Sequence, residues 1–157
     1  AKPRQLSCNF LTLSDILREL RTLLGMDLET KQCRLEENLE AGSLHADRDA
    51  LKQALINLIV NSLEAIPKAG GLIRLTSESG AHGVWIRGQD NGRGMTPAEQ
   101  EHALEPFFTT RDHGTGLGLA IVHGIMQEHG GSVSIASTPN QGTTVSLFFP
   151  QPAENLA

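Results

Sequence analysis

The residues with the clearest chemical potential form the run Asp-Asn-Gly-Arg-Gly-Met at positions 90–95. An aspartate followed by two glycines suits a polar ligand that approaches the backbone closely, because glycine allows positive φ and carries no Cβ. The carboxylate of Asp90 can accept a hydrogen bond from an exocyclic amine. Since Asp-Asn-Gly is also a common turn sequence, the run alone leaves a turn and a ligand loop equally open.

A second polar set lies on one side of a predicted helix at residues 49–66, with Asp47 as its N-cap. At about 100° per residue, Asn57, Asn61 and Glu64 fall into one row, which the pattern places opposite the core face. The row is either a solvated helix face or a Mg²⁺ site, because amide and carboxylate oxygens are hard ligands. The predicted core face consists of apolar or small residues, namely Leu51, Ala54, Leu55, Leu58, Ile59, Ser62 and Ile66.

A third candidate is the glycine-rich segment Gly114, Gly116 and Gly118, directly before a helical pattern that starts at Leu119. Backbone N–H groups at a helix N-terminus bind phosphate, although a flexible loop has the same composition. No lysine follows a glycine, which excludes a Walker loop, and the preceding Phe-Phe-Thr-Thr is not the strand that a dinucleotide fingerprint needs.

The remaining pattern supplies elements that position these residues. Strands are predicted at 6–13, 33–39, 72–76, 84–87, 133–137 and 143–149, and helices at 14–28, 49–66, 97–104 and from 119. Ser14 is the predicted N-cap of the first helix, and Thr96 with Glu99 forms a capping box for the third. This interleaving predicts an α/β fold, a two-layer sandwich of a mixed sheet packed against about three helices. One domain at 6–150 and a disordered tail at 151–157 are expected.

Composition excludes several classes of protein. The chain has 157 residues, 39% of them apolar, and a net charge of −5, which fits one globular domain and argues against binding to nucleic acid or an anionic membrane. Cys8 and Cys33 form no CxxC pair and are expected to be reduced thiols in a cytoplasmic setting.

The order of these segments resembles the catalytic and ATP-binding domain of two-component sensor histidine kinases, in the GHKL superfamily with the Bergerat ATP-binding fold. Residues 57–65 resemble its N box, 90–94 its G1 box, 106–110 its F box and 114–122 its G2 box, and residues 142–144 match its final Gly-Thr motif. The resemblance covers residues 6–149. The Phe-Phe-Thr-Thr-Arg form is most similar to the nitrogen-regulation and dicarboxylate-sensor branch.

The resemblance implies a role for each matching position. Asn61 is the implied Mg²⁺ ligand with Asn57 beside it, Asp90 binds the adenine amine, and residues 106–118 form an ATP lid. We add Arg111 as a candidate cation for the γ-phosphate, so that Asn57 and Arg111 are the predicted catalytic residues. The predicted nucleotide-binding set is Asn57, Asn61, Glu64, Asp90, Gly92, Gly94, Met95, Phe107, Thr110, Arg111, Gly114, Thr115, Gly116, Leu117, Gly118, Leu119 and Thr143.

Position 57 separates two reaction types. In the hydrolytic relatives a glutamate one turn before the metal asparagine activates water, and Asn57 cannot act as such a base. The resemblance therefore implies an ATP:protein-L-histidine phosphotransferase that uses ATP and Mg²⁺. A nucleotide-sensing regulatory module and a GHKL-type ATPase are the alternatives.

The phosphoryl acceptor is expected elsewhere. None of the six histidines is followed by Asp or Glu, as the family's acceptor histidine is. We therefore expect the acceptor on a helical-hairpin domain of the same protein, absent from this chain, with residues 1–5 as its stub, and we expect no self-phosphorylation of this chain. The resemblance further implies relay to a response regulator and a homodimeric full-length protein that is cytoplasmic or membrane-anchored, with no membrane contact by this domain.

Overall fold

The structure is a computed structural model that describes residues 5–67, 69–108 and 118–152. Its elements follow the order β1 (Cys8–Thr12), α1 (Leu13–Thr30), β2 (Arg34–Leu39), β3 (Ser43–Asp47), α2 (Arg48–Ala65), β4 (Leu72–Ser79), β5 (Gly83–Asp90), α3 (Pro97–His102), α4 (Gly118–Glu128), β6 (Ser132–Thr138) and β7 (Gly142–Pro150).

The main sheet has five strands in the order β2-β4-β5-β7-β6. Only β2 and β4 run parallel, and the other neighbours are antiparallel. Along β4, Ile73 and Leu75 are buried while Arg74 is exposed, so one face of the sheet packs against helices and the other meets solvent. The predicted two-layer sandwich with a mixed sheet is confirmed.

A second sheet of two antiparallel strands, β1 and β3, was not predicted in full. The sequence pattern gave β1 but missed β3, a strand of only five residues. The predicted N-cap at Ser14 is wrong, because α1 starts at Leu13 and its cap position lies two residues earlier than predicted. Thr12 occupies the cap position without a side-chain bond, since the pairing of β1 runs up to that residue.

The predicted cap of α2 is confirmed and has a larger role than a cap. The carboxylate of Asp47 accepts hydrogen bonds from the backbone N–H of Ala50 at 3.0 Å and of Ser7 at 2.9 Å. The backbone N–H of Asp47 donates to Nε2 of His129 at 3.1 Å, and Nδ1 of His129 lies 2.8 Å from the carbonyl oxygen of Ile125. The start of α2 is therefore bonded to the end of α4.

The capping box at Thr96 and Glu99 is also confirmed at the start of α3. Beyond β7, the side chain of Gln151 bonds the backbone of His45, with a distance of 2.6 Å to its nitrogen. This bond holds the first residue of the predicted tail, and residues 153–157 lie outside the described ranges. Within those ranges, no helix combines the length and the apolar character needed to cross a membrane.

Candidate functional site

Asp90, the last residue of β5, is held on both carboxylate oxygens. Its side chain is 7% exposed. The hydroxyl of Ser62 on α2 donates to Oδ2 at 2.9 Å, and the backbone N–H of Gly92 donates to Oδ1 at 2.8 Å. These two bonds fix the plane of the carboxylate, so its acceptor directions are set before any ligand arrives.

Gly92 and Gly94 are required by close backbone contacts. A Cβ at Gly92 would lie 2.6 Å from the carbonyl oxygen of Ala65, the last residue of α2. Gly94 has a φ of +67°, and its Cβ would lie 2.0 Å from the carbonyl oxygen of Thr138. The segment is further tied to α2 by a hydrogen bond of 2.9 Å from the N–H of Arg93 to Ala65. It is therefore held between α2 and β6.

Close contact between backbones, with no room for a Cβ, is also found at the Gly-Thr motif. Gly142 has a φ of +109°, and a Cβ there would lie 1.9 Å from the carbonyl oxygen of Asp90. Thr143 is the partner of Asp90 in the pairing of β5 with β7 and is 8% exposed. Its hydroxyl oxygen lies 2.7 Å from that of Ser137 on β6. The motif thus places a hydroxyl beside the fixed carboxylate.

A cavity opens between these residues and the helices. Residues that are distant in sequence meet in it, because α2, the end of β5, the residue after α3, the start of α4 and β7 all border it. Its lining consists of Asn61, Ala65, Asp90, Arg93, Gly94, Met95, Ala103, Phe108, Leu119 and Thr143. The predicted residues Asn61, Asp90, Gly94, Met95, Leu119 and Thr143 are therefore brought together.

The three residues of the predicted row on α2 lie in different environments. Asn57 is half-buried, and its Nδ2 lies 3.4 Å from the carbonyl oxygen of Gly118 at the start of α4. Its Oδ1 accepts a bond of 2.9 Å from the amide of Gln53. Asn61 is half-buried at the cavity, whereas Glu64 is exposed. The row therefore borders α4 at one end instead of facing away from the packed side of the helix.

The predicted lid falls largely outside the described ranges. That part includes Thr110, Arg111, Gly114, Thr115, Gly116 and Leu117. At its edge, Phe107 has a φ of +66° and a side chain that is 76% exposed. The adjacent Phe108 lines the cavity. The structure thus places the second phenylalanine at the cavity, where the prediction had named the first.

Three polar residues at the site were missed. Ser62 was grouped with the core face because it is small, yet its buried hydroxyl binds Asp90. A polar atom on a core face needs a partner, and that rule is the signal that could have identified it. Ser137 and Gln100 gave no such signal, because their contacts with one another depend on the packing of α3 against an edge strand.

The thiol of Cys33 is buried in the neighbourhood of Asp90. Burial, with the negative charge of Asp90 as the second cause, raises the pKa of Cys33. Both cysteines are free thiols, as predicted. Cys33 is 8% exposed and belongs to the hydrophobic core, where it packs as a small apolar side chain.

Of the predicted row on α2, Asn61 is the residue that lines the cavity. The described residues contain no cluster of three His, Cys, Asp or Glu side chains able to hold a metal ion. The amide oxygen of Asn61 is a hard ligand without charge, of the kind that Mg²⁺ uses when phosphates supply other ligands.

Comparison with known proteins gives consistent results. Residues 46–153 match the family model described as histidine kinase-, DNA gyrase B-, and HSP90-like ATPase. The chain is 36% identical over 151 residues to the sensor histidine kinase ZraS of Escherichia coli (strain K12), covering 95% of this chain and 32% of that protein. The chain thus spans about a third of the length of this curated relative.

Solved structures show the same similarity. The catalytic domain of histidine kinase ThkA in a nucleotide-free form superposes with a TM-score of 0.82 at 30% identity, covering 93% of this chain and 99% of that one. ThkA in complex with the response regulator protein TrrA matches with a TM-score of 0.80 at 28% identity, covering 98% of this chain and 45% of that one.

Proposed function

The chain belongs to the family of histidine kinase-, DNA gyrase B- and HSP90-like ATPases, and on that premise we propose that it is the ATP-binding catalytic domain of a sensor histidine kinase. The observation that carries the proposal is the fixed carboxylate of Asp90, which lines a cavity together with Asn61. A buried carboxylate with set acceptor directions suits an exocyclic amine, and an amide on the neighbouring helix suits a metal-bound phosphate.

Each end of the nucleotide has its own proposed partners. Asp90 binds the adenine amine, while Thr143 and Met95 border the base. Mg²⁺, when bound, neutralises phosphate charge, and Asn61 is its proposed protein ligand. The first residues of α4, Gly118 and Leu119, offer a helix N-terminus to the phosphates. Glu64, Phe107 and the lid residues Thr110, Arg111, Gly114, Thr115, Gly116 and Leu117 remain predictions for the same ligand.

We propose phosphoryl transfer and not hydrolysis. Asn57 holds the place one turn before Asn61, and its amide is engaged by Gln53 and Gly118. An amide cannot take a proton from water at neutral pH. Catalysis then depends on positioning and charge stabilisation, which is the general pattern for phosphoryl transfer. The role of the chain is to hold ATP until an acceptor arrives, with Arg111 as the proposed γ-phosphate cation.

The proposed partners lie outside this chain. The acceptor is a histidine on a helical-hairpin domain of the same protein, and the phosphoryl group passes from there to a response regulator. ThkA has been solved in complex with a response regulator protein, which supports a partner of this kind. A homodimeric full-length protein with this domain in the cytoplasm, in contact with neither nucleic acid nor membrane, completes the proposal.

The first experiment measures nucleotide binding and transfer together. Isothermal titration of the 157-residue chain should show ATP binding that strengthens with Mg²⁺, and labelled ATP should give acid-labile phosphate on an added helical-hairpin domain. Asn61→Ala should weaken Mg²⁺-dependent binding about tenfold or more, since about 1.4 kcal/mol per lost ligand interaction corresponds to that factor. Asn9→Ala, an exposed position on β1, is the matched control.

Three results would contradict the proposal. Unchanged Mg²⁺ dependence in Asn61→Ala would remove the metal assignment. Steady phosphate release by the chain alone, with no label on the hairpin domain, would indicate a hydrolase, and ATP binding without either reaction would indicate a nucleotide sensor.

A further inference from the structure

The hydroxyl of Ser137 lies directly behind Thr143, the partner of Asp90 in the sheet. Its oxygen accepts a hydrogen bond of 2.8 Å from the backbone N–H of Met95. It lies 3.0 Å from the carbonyl oxygen of Gly142 and 2.7 Å from the hydroxyl oxygen of Thr143. A hydroxyl has one proton and two lone pairs, so these contacts match its full capacity.

Only one arrangement of protons satisfies all of these contacts at once. The carbonyl of Gly142 can only accept, so Ser137 donates its proton there. The N–H of Met95 occupies one lone pair of Ser137, and the other lone pair accepts the proton of Thr143. The hydroxyl of Thr143 then has no proton left, and toward the cavity that it lines it presents lone pairs alone.

The position of Ser137 is itself fixed by Gln100 on α3. The side-chain amide of Gln100 donates to the carbonyl oxygen of Ser137 at 2.9 Å and accepts from its N–H at 3.2 Å. Because β6 is an edge strand, this pair of bonds replaces the neighbouring strand that Ser137 lacks. The hydroxyl is therefore held in register with Thr143 from both edges of β6.

We infer that Ser137 is a specificity-determining residue: by holding Thr143 as an acceptor, it makes the cavity prefer 6-aminopurine nucleotides to 6-oxopurine nucleotides. The inference rests on the proposed function, which places the base at this end of the cavity. An amino group carries two protons, which match the adjacent oxygens of Asp90 and Thr143. A 6-oxo group brings a third acceptor to the place of the amine, where it faces these two acceptors and donates no hydrogen bond to them.

The test compares ATP with ITP, which carries an oxo group in place of the amine. Dissociation constants of both, measured calorimetrically on the 157-residue chain with Mg²⁺, give a selectivity ratio. In Ser137→Ala the hydroxyl of Thr143 can turn its proton into the cavity. The ratio should therefore fall about five- to tenfold, the factor that one hydrogen bond contributes.

Matched variants separate this effect from damage to the fold. Ser134→Ala removes an exposed hydroxyl from the same strand and should leave the ratio unchanged, and Ser137→Thr, which keeps the hydroxyl, should restore it. Thr143→Val should lower the ratio, and adding Ser137→Ala to it should lower the ratio no further. The ratio does not depend on the fraction of folded protein, so partial unfolding cannot imitate the result.

Two results would overturn the inference alone. One is an equal loss of affinity for ATP and ITP in Ser137→Ala, and the other is full additivity of the two substitutions in the double variant. An unaltered chain that binds neither nucleotide would overturn the proposed function, and this inference with it.

Discussion

The two ends of the proposed nucleotide site are built differently. At the base end, Asp90, Gly92 and Thr143 are fixed by short hydrogen bonds and by backbones in direct contact. At the opposite end, the contact between Asn57 and Gly118 is 3.4 Å long, and both asparagines of α2 are half-buried. The comparison teaches that the proposed base end is fixed by short hydrogen bonds, whereas the proposed phosphate end is held by a longer contact.

Glycine-to-alanine substitutions should separate the two ends most strongly. Gly94→Ala places a Cβ 2.0 Å from the oxygen of Thr138 at a φ of +67°, and we expect a loss of about 3 kcal/mol in the free energy of unfolding from combined strain and overpacking. At Gly118 a Cβ meets nothing within 4 Å, so Gly118→Ala should change stability by less than about 1 kcal/mol. Urea unfolding of both variants measures this.

Gly124→Ala, also without neighbours for its Cβ, is the control within α4. If Gly94→Ala and Gly118→Ala unfolded at the same urea concentration, the described difference between the ends would be wrong. A loss of ATP affinity in Gly118→Ala with normal stability would sharpen the difference.

Asp90→Asn tests the base end without adding atoms. The amide replaces one acceptor by a donor that faces the amine, and we expect ATP affinity to fall about tenfold to a hundredfold, corresponding to 1.5–3 kcal/mol for a bond to a charged group. GTP binding, measured in the same titration, should fall less. Equal losses for both nucleotides would show that Asp90 supports the fold and does not read the base.

The smallest expected effect is a pH-dependent change in stability that arises from His102, just after the start of the segment that leads to residue 108. A hydrogen bond to Glu105, followed by the charge of that carboxylate, raises the pKa of His102. Since the folded pKa lies above the unfolded value of about 6.5, the stabilisation is complete below that pH. It is lost as the pH rises through the folded pKa.

Thermal melts of His102→Gln should therefore differ from those of the unaltered chain at about pH 5.5 and coincide with them at about pH 8.5. Because the pair is exposed, the difference should be slight and should decrease with salt. His82→Gln, in the exposed turn between β4 and β5, serves as control. A larger difference at the higher pH would reverse the assigned sign.

Local chemistry made much of this molecule predictable. The cap at Asp47, the capping box at Thr96 and the strand ending at Asp90 each depend on residues within a few positions of one another. Their signals are therefore visible in the sequence.

What could not be predicted depends on distant pairing. The short strand β3 pairs with β1, although α1 and β2 separate the two strands in sequence. The hydroxyl of Ser62 binds Asp90, 28 residues away in sequence, and that of Ser137 contacts Thr143, 6 residues away on the next strand. Tertiary packing, and not local preference, decides which small polar residue becomes part of a site.

The bond between His129 and Asp47 fixes one end of α4 relative to the start of α2. It joins α4 to α2 at the ends remote from Gly118 and Asn57, so the two antiparallel helices share a pivot. Over the 11 residues of α4, a helix of roughly 16 Å at 1.5 Å per residue, a tilt of about 5° about that pivot moves the N-terminus by roughly 1.4 Å. A tilt of α4 that keeps this bond would therefore displace the proposed phosphate end most and leave the end at His129 in place.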